Sequence, residues 1–210
     1  MKNIKINVLI LSLVFCSFLA NAQQQSLTID ASQMVSTFNF IDSENNKQNV
    51  DYEGVLTGAY GVGYRYILNE SIIFRGGLGK NNGGANYVYD AMNYSWRLEY
   101  INAKLGFGYM LNLGRFSPYL VASGYAGYLV RGIQVLNNEE FNITESGILN
   151  KLDIGIIINP GVNLKLSDYI SAFVEFNYAH GLNNIEFDAS QKAQNVGYGC
   201  TLGLSFSITK

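Results

Sequence analysis

Residues 196–208 separate into two chemically different sets by odd and even position. Because alternate side chains of a β-strand point to opposite faces, this segment predicts a strand with one bulky apolar face and one face of small groups. A strand surface in water carries longer polar side chains, whereas small side chains suit a narrow barrel interior and bulky ones suit a wall in lipid. The pattern predicts a barrel that is apolar outside. The bulky set is Val196, Tyr198, Cys200, Leu202, Leu204, Phe206 and Ile208.

The N-terminal segment has the three parts of a secretory signal. Lys2 and Lys5 supply positive charge, residues 8–19 form a short apolar core, and residues 20–22 read Ala-Asn-Ala, a small-x-small cleavage site. A retained membrane anchor is disfavoured, because the apolar run is shorter than the roughly 20 residues that cross a bilayer. Residues 1–22 are therefore predicted to be a cleaved signal peptide and residues 23–210 the mature domain.

Composition narrows the class of protein further. Charged residues make up 14% of the chain, against about 25% in a typical soluble domain. Once Lys2 and Lys5 are removed, 16 acidic residues face 12 basic ones, so nothing predicts nucleic-acid binding. Cys200 is the single cysteine of the mature domain, which precludes an internal disulfide, and its place on the bulky face predicts an apolar filler.

Alternation recurs along the mature domain. No run of 18 apolar residues follows residue 22, so a membrane-spanning chain of this kind has to close into a barrel that satisfies every backbone group. We predict an all-β fold, an eight-stranded antiparallel up-and-down transmembrane β-barrel of the outer-membrane type. In the first segment the phase changes near Met34, which predicts a β-bulge, and the fifth segment gives no clear orientation. The predicted strands are 26–40, 54–68, 71–80, 95–111, 116–131, 151–166, 169–180 and 195–208.

The predicted connections alternate in length. Tight turns are expected at residues 69–70, 112–115 and 167–168. Bacterial outer-membrane barrels have short periplasmic turns and longer external loops, and an even strand number brings both termini to the periplasmic side. The long polar loops are expected at residues 41–53, 81–94, 132–150 and 181–194.

The charges predicted to face inward are the candidate functional residues. Isolated charges in a narrow lumen are costly, so we expect them to pair or to form a hydrated network. The network is interpreted as a structural plug, and the alternative is a narrow polar pathway for ions or small solutes. The predicted lumen charges are Arg65, Arg75, Lys104, Asp153 and Glu175.

No catalytic, cofactor-binding or metal-binding residue is predicted. His180 is the only histidine, and no serine stands at a spacing that indicates a hydrolase, so it is interpreted as a residue of the rim or loop. Asp42, Glu44, Asp51 and Glu53 lack an EF-hand pattern and are expected to form a solvated acidic loop.

Three stretches carry a family resemblance: residues 178–185, which read YAHGLNNI before the glycine-rich last strand, residues 117–120 (SPYL) and residues 160–162 (PGV). With them the whole mature domain resembles the porin-family outer-membrane β-barrel domain, which includes PorT-like proteins. The resemblance implies the barrel fold, a location in the bacterial outer membrane and, for PorT-like members, an accessory role in protein export.

These observations favour a non-enzymatic, monomeric outer-membrane protein with a plugged or narrow polar lumen. Its expected partners are outer-membrane lipid and lipopolysaccharide, together with cell-envelope proteins that contact its outer loops. The alternatives are a narrow porin-like channel or an export accessory. A periplasmic lipocalin-like binder of an apolar ligand is a further alternative, but it would point large apolar residues inward and charges outward.

Overall fold

The structure, a computed structural model, describes residues 24–42, 44, 46–47, 52–89, 92–187 and 191–208, so the predicted signal peptide lies outside the described residues. Within those ranges, no helix is long and apolar enough to span a membrane. The strands are β1 (Gln24–Ile41), β2 (Tyr52–Glu53), β3 (Val55–Leu68), β4 (Ile72–Tyr89), β5 (Met92–Met110), β6 (Phe116–Leu136), β7 (Glu139–Asn142), β8 (Leu152–Lys165), β9 (Ile170–Gly181) and β10 (Lys192–Ser207).

Eight long strands close into a ring. Each pairs antiparallel with its neighbours in the chain, and β10 pairs with β1 to complete the barrel. The short strands β2 and β7 lie outside the ring and pair with β4 and β6. The predicted eight-stranded antiparallel up-and-down barrel is confirmed, and closure leaves no open sheet edge within the ring.

The register fixes the tilt of the strands. A path of paired residues that leaves β6 at Gly127 returns to β6 at Ser117, ten residues away. With a rise of about 3.3 Å per residue and a strand spacing of about 4.8 Å, this displacement tilts the strands by about 40° to the axis. The intermediate residues on the path are Asn102, Gly79, Gly61, Asp30, Gly203, Phe173 and Asn163.

Short connections lie at one end of the barrel, together with the start of β1 and the end of β10. Asn69 and Glu70 take positive φ angles of 50° and 60°, as a two-residue type I′ hairpin turn requires. Residues 111–115 and 166–169 make the other two short connections. The three predicted tight turns are confirmed, and we call this the short-turn end and the opposite one the long-loop end.

The predicted polar loop at residues 81–94 is wrong. β4 continues to Tyr89 and β5 begins at Met92, and the two strands pair along this whole length. The Asn- and Gly-rich residues 81–84 have low strand propensity, which pairing with β5 overrides. Gly84 has φ 149°, and a Cβ there would come within 1.9 Å of the Trp96 carbonyl oxygen, so this close approach requires glycine.

The predicted loop at residues 132–150 is also partly strand. β6 runs to Leu136, turns at Asn137 and Asn138, whose φ angles are 47° and 71°, and returns as β7. Together β2, β4, β5, β6 and β7 therefore form a sheet that extends the barrel wall at the long-loop end. We call it the extended wall.

The predicted β-bulge in β1 is wrong. β1 pairs with β10 without a shift of register from Ser26 to Ile41, and its even-numbered residues face inward throughout. The apolar set changes face because Phe38 and Phe40 point into the barrel, where each is less than 10% exposed. The register shift occurs instead where Glu99 and Tyr100 of β5 meet β6.

The orientation of β6, which the pattern left open, is regular in the structure. Odd-numbered residues from Ser117 to Leu129 are buried and face the lumen, and even-numbered ones are largely exposed. Tyr119 and Tyr125 therefore point inward. Two large phenol rings enter the lumen from one strand, which explains why aromatic and small residues mix on both faces.

The barrel is apolar on its outer face. The exposed fractions of Leu105, Ile156 and Leu202 are 76%, 44% and 65%, whereas Asp153 is 2% exposed. Bulky apolar residues that point away from a closed barrel are the surface expected in contact with hydrocarbon. A lipocalin-like barrel requires the reverse arrangement, so this alternative conflicts with the structure.

Candidate functional site

Apolar clusters occupy both ends of the lumen. The lower apolar cluster, at the short-turn end, comprises Ile67, Ile73, Met110, Tyr119 and Val121. The upper apolar cluster, at the long-loop end, comprises Phe38, Phe40, Ala85, Leu98, Tyr100, Leu129, Ile185 and Ala193. The polar and charged side chains of the lumen lie between these two clusters, where they are screened from solvent at either end.

Glu175 is the centre of the charged region. Its Oε1 accepts hydrogen bonds from Arg75 Nη1 at 2.6 Å and from the Tyr119 hydroxyl at 2.7 Å. Arg65 Nη2 lies 3.8 Å from the same oxygen. Glu175 is 4% exposed, so one buried carboxylate binds two guanidinium groups across the lumen. We call these four residues the Glu175 cluster.

Aromatic rings hold Arg65 in place. Its guanidinium carbon lies 4.5 Å from the Phe173 ring centroid and 5.3 Å from that of Tyr119, within the range of cation–π attraction. Arg65 Nη1 also donates to Asn163 Oδ1 at 3.3 Å. Residues of three other strands thereby contact the Arg65 side chain, which ties β3 to β6, β8 and β9.

Amide and hydroxyl groups link the Glu175 cluster to the far wall. Arg75 donates to Asn159, Asn159 donates to Asn177, and Asn177 donates to Thr201 Oγ1 at 2.5 Å. Thr201 is bonded in turn to the Ser32 hydroxyl at 2.6 Å. This chain of neutral groups was not predicted from the sequence, although the inward phase of its members on successive strands indicates that they meet in the lumen.

Lys104 and Asp30 face the middle of the lumen. The two groups attract each other electrostatically, without a direct ion pair among the residues that the structure describes. Asp30 was not predicted, because the change of phase near Met34 leaves the inward face of β1 undefined in the sequence. Both side chains border an internal cavity, which offers water as their solvent.

Asp153 lies apart from the Glu175 cluster. Its Oδ2 accepts hydrogen bonds from the Tyr125 hydroxyl at 3.1 Å and from Asn195 Nδ2 at 3.0 Å. Asn195 Nδ2 also lies 3.2 Å from the Tyr100 hydroxyl, which accepts from it. We call these four residues the Asp153 group. The structure thus brings Arg65, Arg75 and Glu175 together and places Asp153 in a second group with neutral hydrogen-bond partners.

The lumen contains a cavity of about 140 Å³. A cavity of this size has room for several water molecules. Every predicted lumen charge borders it, as does Asp30. Small residues widen the lumen on one side, where β3 and β4 contribute Gly61, Gly63 and Gly77.

Charged side chains mark the outer wall above the apolar belt. Glu99 binds Lys80 at 2.7 Å and Arg131 at 3.7 Å. Beyond them, the extended wall stacks Trp96 on Tyr94, with centroids 6.1 Å apart and rings 16° from parallel. From Lys80, β4 continues for nine residues to Tyr89. At about 3.3 Å per residue and the tilt given above, this is roughly 20 Å of wall.

The remaining candidates have ordinary places in the fold. His180 belongs to the outward-facing set of β9 and pairs with Ile156, and Cys200 is an exposed free thiol on the outer face. Asp42 accepts hydrogen bonds from the backbone of Glu44 and Asn46, whereas Asp51 lies outside the described residues. Over the described ranges, no group of three or more His, Cys, Asp and Glu side chains is arranged to hold a metal ion.

Comparison with known proteins supports the fold. No protein-family model matches the chain, and no curated protein does. Neisserial surface protein A (NspA) superposes with a TM-score of 0.55 at 12% identity, over 90% of this chain and 100% of that one. For the outer membrane protein OprG of Pseudomonas aeruginosa, the TM-score is 0.51 at 10% identity, over 89% and 98%. The chain therefore has the fold of the eight-stranded outer-membrane β-barrels.

Proposed function

We propose that this protein is an outer-membrane barrel whose lumen is closed and whose role is structural, as an anchor for the extended wall and loops at the cell surface. The observation that carries this proposal is the Glu175 cluster, which joins β3, β4, β6 and β9 across the lumen. The apolar clusters at the two ends add barriers that hydrated ions cross at a high cost in desolvation.

The location in the bacterial outer membrane rests on the outward apolar face, the fold shared with NspA and OprG, and the alternation of short and long connections. Fractionation of producing cells and gel migration with and without boiling test it. A folded barrel in the outer-membrane fraction that migrates differently after boiling is the expected result. Recovery of the protein in the soluble periplasmic fraction would overturn the location.

The closed lumen is tested by planar-bilayer conductance. Protein refolded in detergent and verified by its heat-dependent gel migration is added to one side of the bilayer, and a large porin serves as the positive control. We expect no discrete openings from this protein. Discrete openings that are absent from a mock refolding would reject the plug and favour the porin-like channel.

The surface role is supported by the extended wall, which stands beyond the charged residues Lys80, Glu99 and Arg131. We propose lipopolysaccharide and cell-envelope proteins as its partners. An accessory role in protein export, which the resemblance to PorT-like proteins implies, is the second candidate. Crosslinking in whole cells separates them: recovery of export components supports the accessory role, and recovery of surface polysaccharide or other envelope proteins supports the anchor.

A further inference from the structure

The Asp153 carboxylate is buried, and its hydrogen-bond donors among the described residues are neutral. It is 2% exposed, and the two groups that donate to its Oδ2, from Tyr125 and Asn195, are neutral. Across the described part of the chain, no lysine or arginine forms an ion pair with it, because the two lumen arginines face Glu175. A buried carboxylate with only neutral partners carries a large desolvation cost.

Besides Asn82 Oδ1, three oxygen atoms around the cavity lack a hydrogen-bond donor among the described residues. They are Oδ1 of Asp153, Oδ1 of Asn195 and Oδ1 of Asn102. The three residues are 2%, 8% and 3% exposed and border the same cavity. Buried polar atoms are almost always paired, so three orphaned acceptors on one cavity indicate an occupant that offers positive charge or donors.

Glycines leave space beside each of these oxygens. A Cβ at Gly181 would lie 3.2 Å from Asp153 Oδ1, and one at Gly83 would lie 3.2 Å from Asn195 Oδ1. A Cβ at Gly79 would lie 3.5 Å from Asn102 Oδ1. At these three positions, the glycines leave the space next to the unpaired oxygens free of side-chain atoms.

The donor set indicates the chemistry of the occupant. Carboxylate and amide oxygens are the ligands of hard cations, and this group contains no thiolate or imidazole. One carboxylate carries one negative charge, which a monovalent cation neutralises. We propose that Asp153 and Asn195 bind a monovalent cation of the size of sodium in the lumen, with cavity waters completing its coordination and reaching Asn102. The site goes beyond the structural role proposed above and does not depend on it.

The test measures the effect of sodium on unfolding. The protein is refolded in lipid vesicles and then unfolded with urea. The urea series is run once with sodium chloride and once with N-methylglucamine chloride at the same ionic strength, and the folded fraction is read from gel migration. The bulky organic cation does not fit the cavity, so it controls for ionic strength. A single site predicts that the unfolding equilibrium constant falls about tenfold for each tenfold rise in sodium above the dissociation constant.

Two variants locate the effect. Asp153→Asn is nearly isosteric and should abolish the difference between the two salts, whereas Asp30→Asn makes the same change on another lumen carboxylate and should preserve it. A direct readout is the sodium NMR line width, which the folded wild-type protein should broaden and the unfolded protein should not. Three results would each overturn the proposal: identical unfolding curves in the two salts, a sodium effect that Asp153→Asn retains, or no broadening of the sodium line. Each would show that the site holds only water or a protonated carboxyl.

Discussion

Replacing Glu175 by glutamine removes the negative charge that two arginines share, while it keeps the shape of the side chain. The substitution leaves the guanidinium groups of Arg65 and Arg75 in the lumen without the anion that they contact. The lower apolar cluster and the rings of Tyr119 and Phe173 close that region to bulk solvent. We therefore expect a large loss of stability with no change of fold.

The magnitude follows from the contacts of the carboxylate. Hydrogen bonds to a charged group are worth about 1.5–3 kcal/mol each, and Oε1 of Glu175 accepts two, from Arg75 and Tyr119. Removing one partner of a buried ion pair costs about 3–5 kcal/mol. The side chain of Arg75 is 21% exposed and borders the cavity, so water offsets part of the loss. The expected decrease in the free energy of unfolding is about 3 kcal/mol, at the lower end of that range.

Equilibrium unfolding in urea, with the folded fraction measured by gel migration, gives this difference. Asp168→Asn is the control, because its ion pair with Lys165 is exposed at the short-turn end, where such pairs contribute at most about 1 kcal/mol. The double variant Arg75→Gln, Glu175→Gln should cost less than the sum of its single variants. A loss below about 1 kcal/mol for Glu175→Gln, equal to that of an exposed pair, would refute the reasoning.

Three further predictions concern the wall. Leu105→Arg should lower the free energy of unfolding in lipid by about 2–4 kcal/mol. Leu113→Arg, at a similarly exposed leucine in a short turn, should change it by less than about 0.5 kcal/mol. Equal costs in urea unfolding would contradict a lipid-facing Leu105. Gly108→Ala should destabilise the barrel by about 1–3 kcal/mol, because its Cβ would lie 2.2 Å from the Leu120 carbonyl oxygen. Gly124→Ala should be near neutral in the same measurement, because a Cβ at Gly124 would meet no atom within 4 Å. Cys200 should resist a charged maleimide in intact membranes and react once urea unfolds the barrel, because the thiolate that attacks maleimide does not form in hydrocarbon; labelling of the folded protein would place the thiol in water.

The alternation of side chains predicted the barrel because lipid imposes one polarity on every outward position. That rule holds for β10, where Leu202 and Leu204 point out and Thr201 and Ser205 point in. It fails for β1 beyond Met34, because the strand passes out of the apolar belt. There the outer face no longer meets hydrocarbon and the inner face meets the upper apolar cluster, so Phe38 turns inward with no bulge.

The ends of β4 and β5 could not be predicted from local composition. Asn and Gly at residues 81–84 resemble a loop, and only pairing with β5 makes them a strand. The lumen charges were predictable one by one from their phase, since inward positions are set by the same alternation as outward ones. Their partners were not predictable, because Arg75 and Glu175 are 100 residues apart and meet only through the curvature of the closed sheet.

The single tryptophan of the chain sits where two unpaired strands meet across the barrel. The ring of Trp96, on β5, lies 6.1 Å from that of Phe38, on β1, and these strands share no backbone hydrogen bonds. The contact forms only when the sheet has bent until its distant parts face each other. The part of the Trp96 fluorescence signal that a Phe38→Leu variant removes should therefore report this closure of the sheet, without any introduced dye.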